Sequence, residues 1–285
     1  MSDQKHKKRA ISPAGAAGIL AVLMVWALWY NGHRTIGWGQ TFNPIYWWSR
    51  WHGDDLYAPS QSLLLHGNRA LPEVALTIDD GPHPISCREI LSILQQYHVH
   101  ATFFDVGENM DARPDLVHLT LQDGNEIGDH SSTHLRLPYL SSLERHHEIN
   151  DPDISFCRIT GGHLYLFRPP GMNYNDHTLA TLKRMGYVTV DYTTASSDYK
   201  LNDKRSFIVD RTLDRVENGS IILLHDYPDT VRALPSILRG LQKDGYHVVT
   251  ISEMIDHLPP LQRQQAIGFL QKQGDPVFQN KIASR

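Results

Sequence analysis

Two adjacent carboxylates and two histidines four residues apart are the groups in this sequence best suited to chemistry. Asp79 and Asp80 stand in Thr77-Ile78-Asp79-Asp80-Gly81-Pro82, and His130 and His134 bracket His130-Ser131-Ser132-Thr133-His134. Two imidazoles and one carboxylate make a three-ligand metal site with open positions, and the second carboxylate is left free to act as a base toward water. Each motif alone has a plainer reading. Asp-Asp-Gly-Pro is also a common turn and helix cap, and a histidine pair at this spacing is common on a solvated surface. Together they predict the chemistry of a metal-dependent hydrolase.

The elements that must position these groups alternate along the chain from Pro72 onward. Short apolar strands are expected at residues 74–78, 101–106, 126–128, 164–167, 187–190, 220–224 and 247–251. Amphipathic helices are expected at 87–97, 176–185 and 231–243. Seven strands alternating with helices predict an α/β fold built as a parallel barrel. In such barrels chemistry sits at the C-terminal ends of the strands. Asp79 and Asp80 end the first expected strand, His130 follows the third by two residues, and Arg168 ends the fourth. Asp198 follows the fifth in a loop, and His225 ends the sixth. Scattered surface residues would rarely gather on one rim in this way.

The bulk composition fits that picture. The 285 residues are 41% hydrophobic and 20% charged, enough for a real core. A net charge of -4 gives no electrostatic reason to expect a nucleic-acid partner. Cys87 and Cys157 are too few for a disulfide framework; one bridge or two reduced thiols are both open. The N-terminus is more specific. Lys5, Lys7, Lys8 and Arg9 precede a mostly apolar stretch, residues 10–30, that closes on Trp26-Ala27-Leu28-Trp29-Tyr30. At about 1.5 Å per residue this stretch reaches roughly 30 Å, the hydrocarbon thickness of a bilayer. Its bulky aromatic end suits an uncleaved signal-anchor better than a cleaved signal peptide. The basic cluster then stays cytoplasmic and the rest of the chain lies outside. Residues 31–71, rich in Gly, Trp and Asn, read as a connector.

Taken with Phe167-Arg168-Pro169-Pro170-Gly171 and Leu223-Leu224-His225, the two opening motifs resemble the NodB-homology polysaccharide deacetylases, carbohydrate esterase family 4. The resemblance spans residues 72–257, between the connector and a tail at 258–285. It implies a distorted (β/α) barrel and removal of acetyl groups from sugars with a divalent metal, most often zinc, with Co2+, Ni2+ or Mn2+ as alternatives. Asp80, His130 and His134 would hold the metal, Asp79 would be the base, and His225 would protonate the leaving amine. Arg168 would keep Asp79 ionised, and Asp198 would orient His225. Pro170, Gly171, Tyr199 and Leu223 would line the substrate groove, with a backbone N–H near Gly171 available to the oxyanion. The family usually has an aromatic where Gly171 stands and a Trp where Tyr199 stands, so the groove is expected to differ in shape.

The implied activity is hydrolysis of N-acetyl groups on an amino-sugar polysaccharide, peptidoglycan or an exported N-acetylglucosamine-type polymer, by a membrane-anchored extracytoplasmic or periplasmic domain. Alternatives are a deacylase of a lipid-linked sugar, an O-acetyl esterase, and a catalytically silent sugar-binding module. The last would be expected to lack a metal ligand or Asp79, and this chain lacks none of them.

Overall fold

The run Val74-Ala75-Leu76-Thr77-Ile78 is almost continuously apolar, the composition of a strand covered on both faces, and it forms an interior strand of the sheet with partners on both sides. The computed structural model describes residues 57–58, 62–199 and 205–272. The basic segment, the expected span 10–30, most of the connector and the end of the tail lie outside the described residues. In chain order the strands are β1 (Tyr57–Ala58), β2 (Leu63–Leu64), β3 (Glu73–Gly81), β4 (Thr102–Asp105), β5 (Glu126–Asp129), β6 (Leu166–Phe167), β7 (Val188–Val190), β8 (Thr194–Ala195), β9 (Ile221–His225) and β10 (His247–Val249). The helices are α1 (Ser86–Tyr97), α2 (Gly107–Ala112), α3 (Pro114–Gln122), α4 (Ser142–Thr160), α5 (Asp176–Arg184), α6 (Arg205–Leu213), α7 (Pro228–Lys243), α8 (Ile251–Asp256) and α9 (Pro260–Lys272).

The sheet runs β1-β2-β7-β6-β5-β4-β3-β9-β8, and every pairing in it is parallel except β1 with β2. One side of β3 is taken by β9, and the other by β10 at its first residues and β4 at its last. Alternation along β3 sorts its side chains. Val74, Leu76 and Ile78 pack toward α1 and α7, in a core with Ile90, Leu94, Leu234 and Leu238. Ala75 turns inward to a second core with Phe104, Leu166, Val190 and Ile221, which Ile251, Met254 and Ile255 of α8 close. Thr77 and Asp79, two and four residues on, follow Ala75 into the curl.

All seven expected strands and three expected helices are present, with shifted ends. The expected barrel is corrected in one respect: the ladder does not close, because among the described residues β1 and β8 remain its two ends. The last strand also stops at Val249, two residues early. Thr250 accepts a hydrogen bond from the Glu253 N–H and caps α8, so Ile251 starts a helix. Cys87 and Cys157 are free thiols, the first buried and the second half-buried, so no bridge joins them. Among the described residues no helix is long and apolar enough to cross a membrane.

Candidate active site

Neighbouring residues in a strand point to opposite faces, yet Asp79 and Asp80 both reach one cleft. A bulge does this. The register of β3 against β4 shifts between Asp79 and Gly81, and Asp80 takes φ +70, so the extra residue swings its carboxylate round to the cleft. Gly81 must follow: a β-carbon there would stand 2.5 Å from Asp105 Oδ1. His130 and His134 are not on a helix. They sit in the loop after β5, with Ser131 and His134 at positive φ.

Asp79 is held by Arg168, which follows β6 and is fully buried. Arg168 Nη1 donates to Asp79 Oδ1 at 2.7 Å and to Thr77 Oγ1 at 2.6 Å, and Nη2 donates to the Asp191 carbonyl at 3.3 Å. Its guanidinium lies 4.2 Å from the Phe104 ring centroid. Such a buried pair is fixed in place by the cost of separating it. His130 Nδ1 lies 2.7 Å from the Arg168 carbonyl, which can only accept. Nδ1 is therefore the donor of that bond, and Nε2 is left facing the cleft.

Nε2 of His130 and Nε2 of His134 lie 3.5 and 3.3 Å from Asp80 Oδ1. That oxygen is buried without a hydrogen-bond partner, while Oδ2 accepts from Tyr227 Oη at 2.6 Å. Burial pushes the Asp80 pKa up, but the His130 imidazole beside Oδ1 and the Tyr227 hydrogen bond to Oδ2 together outweigh it and hold the carboxyl below the usual carboxylate range. Burial, and then the neighbouring His130 imidazole, lower the His134 pKa. Two imidazole nitrogens and one carboxylate oxygen, all within 4.8 Å of one another, fit a divalent cation of the zinc type.

The other charged pair belongs to β9 and the loop after β8. His225 Nδ1 lies 2.7 Å from Asp198 Oδ1, and Asp198 Oδ2 accepts the His225 N–H at 2.7 Å. Burial disfavours the imidazolium, but the hydrogen bond and charge of Asp198, with Asp79 and Asp80 beyond, raise the His225 pKa. Tyr227 stacks on the His225 ring at 5.6 Å, and Tyr199 meets it edge-on at 5.3 Å.

These groups share a cleft of about 490 Å³, whose walls include Asp79, Asp80, His130, His134, Gly171, Tyr199, Leu223 and His225. Pro170, expected on the groove, is buried and off the wall, and its neighbour Pro169, also buried, is the proline that reaches the wall. Arg168 and Asp198 stand behind the wall, each holding a residue that faces it.

The polysaccharide deacetylase family model matches residues 66–190. The chain is 37% identical over 187 residues to a peptidoglycan-N-acetylglucosamine deacetylase of Bacillus cereus, covering 64% of this chain and 87% of that protein. The chain belongs to the polysaccharide deacetylase family. With Asp79, Asp80, His130, His134 and His225 all present in its cleft, it is a hydrolase of amide bonds like its relatives. It is also 36% identical over 183 residues to the peptidoglycan-N-acetylmuramic acid deacetylase PdaC of Bacillus subtilis, spanning 64% of this chain but 38% of that protein. The PdaC crystal structure matches with a TM-score of 0.62 at 32% identity, over 73% of this chain and 100% of that one. A pseudoenzyme of the family from Bacillus anthracis matches with a TM-score of 0.66 at 25% identity, over 70% of each chain. The fold is thus shared by active and inactive members, and the side chains in the cleft decide.

Sequence reasoning missed Thr77 and Tyr227. Thr77 has a signal, since it shares a strand face with Asp79. Tyr227 has a weaker one, two residues after His225. It also missed Asp105, at the end of β4, whose two carboxyl oxygens are buried without hydrogen-bond partners. Burial and the nearby Asp226 and Asp79 charges push the Asp105 pKa well up.

Proposed function

We propose that this chain removes N-acetyl groups from an amino-sugar polymer of the peptidoglycan class, working outside the cytoplasm on a membrane anchor formed by residues 10–30. One observation carries the catalytic reading. A carboxylate pinned by a buried arginine and an imidazole pinned by a buried aspartate face the same cleft as the Asp80, His130 and His134 cluster.

A divalent ion held by those three residues would supply Lewis-acid chemistry to water and to the acetyl carbonyl. Asp79 takes the proton of the attacking water. Arg168 aims Asp79, since its Nη1 occupies Oδ1 and leaves Oδ2 for that proton. An amide nitrogen leaves poorly unless protonated, and His225 Nε2 delivers that proton. General acid catalysis of this kind contributes typically about 10²–10⁴-fold. Asp198 sets the tautomer, accepting a hydrogen bond from Nδ1–H and leaving Nε2 for the cleft. Leu223 offers an apolar wall for the acetyl methyl.

The test uses purified full-length protein on glycan strands and N-acetylglucosamine oligomers, reading acetate and new primary amine. Metal analysis should find about one divalent ion per chain, lost in His130→Ala and His134→Ala together with activity. Full metal content in the double variant would remove these residues from the ligand set. Asp79→Asn should keep the metal and lose turnover. Absence of acetate from every amino-sugar substrate, with metal bound, would reject the deacetylase assignment.

A further inference from the structure

The cleft wall carries Arg136, a cation that the reaction above leaves unused. Every other charged side chain on the lining has a partner: Asp79 pairs with Arg168, Asp80 with the two histidines, and His225 with Asp198. Arg136 is exposed, and among the described residues no carboxylate pairs with it.

The surroundings keep it available. Arg136 Nε lies 4.0 Å from the point a β-carbon on Gly171 would occupy, and only Asn173 Nδ2, at 3.7 Å, also stands within 4 Å of that point. Any side chain at 171 would enter the space beside the guanidinium. Glycine, here at φ +59, leaves that space open to the cleft. The backbone that bears Arg136 is also held. Leu137 is fully buried, and the buried Arg145 donates from Nε to the Leu137 carbonyl at 3.0 Å and from Nη2 to the Leu140 carbonyl at 2.8 Å. A guanidinium on fixed backbone suits bidentate recognition of a planar anion. Asp79 and Asp80 on the same lining would repel a more highly charged group such as phosphate.

We propose that Arg136 is a specificity-determining residue that binds a carboxylate carried by the same sugar ring as the acetamido group to be cleaved. The free lactyl ether of N-acetylmuramic acid has this chemistry, its carboxylate carried on a lactyl group joined through an ether oxygen to the ring carbon next to the acetamido carbon. A neutral N-acetylglucosamine unit has no group for Arg136 to pair with. This inference rests on the deacetylase reading and names the sugar class it acts on.

The experiment compares peptide-free glycan strands bearing free lactyl carboxylates with the same strands after conversion of those carboxylates to methyl amides. Acetate release is measured, and mass spectrometry identifies the sugar that lost it. The wild-type protein should show kcat/KM about tenfold higher on muramic acid units of the carboxylate strands, as loss of a charge-assisted hydrogen-bond pair requires. Arg136→Gln should bring that ratio close to one, and Arg136→Lys should retain part of it. A wild-type ratio near one, or a ratio unchanged in Arg136→Gln, overturns the proposal. If the wild-type protein releases acetate from neither strand, the deacetylase reading fails instead. Equilibrium binding of the two strands then decides Arg136 by the same ratio in the same variants.

Discussion

At the scale of single residues, the site is built from pairs in which one member works and the other holds it. His225 is held by Asp198 at the ring and at the backbone, and Thr230 Oγ1 donates to the same carboxylate. The pairing raises the His225 pKa against the effect of burial. The sign of the pH effect follows. A general acid must be protonated to act, so a raised pKa carries activity further toward alkaline pH before it declines. Asp198→Asn removes the charge and one of the two acceptor oxygens, the His225 pKa falls, and the alkaline limb of the kcat/KM profile should move to lower pH. Amide turnover should drop by roughly 10²-fold or more, the lower end of what general-acid catalysis supplies. Activated aryl acetates, whose leaving groups need no proton, should be hurt much less. An unmoved alkaline limb with amide and aryl acetate activities reduced equally would assign His225 and Asp198 to an earlier step.

At the scale of elements, the strands do more than carry these residues to one rim. Phe104 of β4 lies beneath the Arg168 guanidinium, and Gly128 of β5 gives the ring its room. A β-carbon at Gly128 would stand 2.6 Å from Phe104 Cε1 and 3.2 Å from Leu166 Cβ. Phe104 is fully buried and has nowhere to retreat. Gly128→Ala should therefore cost about 1–3 kcal/mol in denaturant unfolding, the usual penalty for overpacking a core. Because the displaced ring supports Arg168, kcat should also fall while the metal content stays. Wild-type stability in this variant would show that the sheet relaxes around position 128. Much of this framework was legible beforehand. Apolar runs of strand length located β3, β4, β5 and β9, and strand-end placement located Asp79, Asp80, Arg168 and His225. What escaped the pattern had physical reasons. Helix α4 is largely polar and contains Pro152, α2 has six residues, and β2 and β8 have two each, too short for a period to register. Tyr227 and Thr77 act through contacts that only the bulge and the curl of the sheet create.

At the scale of the whole molecule, the proposed activity needs the cleft to meet a polymer that lies outside the cytoplasm, and the proposed anchor before the sheet would supply a means. Lys5, Lys7, Lys8 and Arg9 flank residues 10–30 on one side and Trp26, Trp29 and Tyr30 close the other. Charge held on the cytoplasmic face and aromatics at the far interface orient such a span with its C-terminal side outward. A tethered enzyme would search for acetylated sugars along the membrane-facing layer of the polymer rather than throughout it. A periplasm-active reporter fused after Arg285 should therefore be active, and a cytoplasm-active one should not. The chain should fractionate with membranes, resist extraction by salt, dissolve in detergent, and keep Met1 or Ser2 at its N-terminus. Salt extraction would instead mean that surface charge and the connector tryptophans hold the protein to the membrane. A freely soluble mature chain beginning near Asn31 would mean that the apolar stretch is a signal peptide, and the cleft would then be free to reach the whole depth of the polymer.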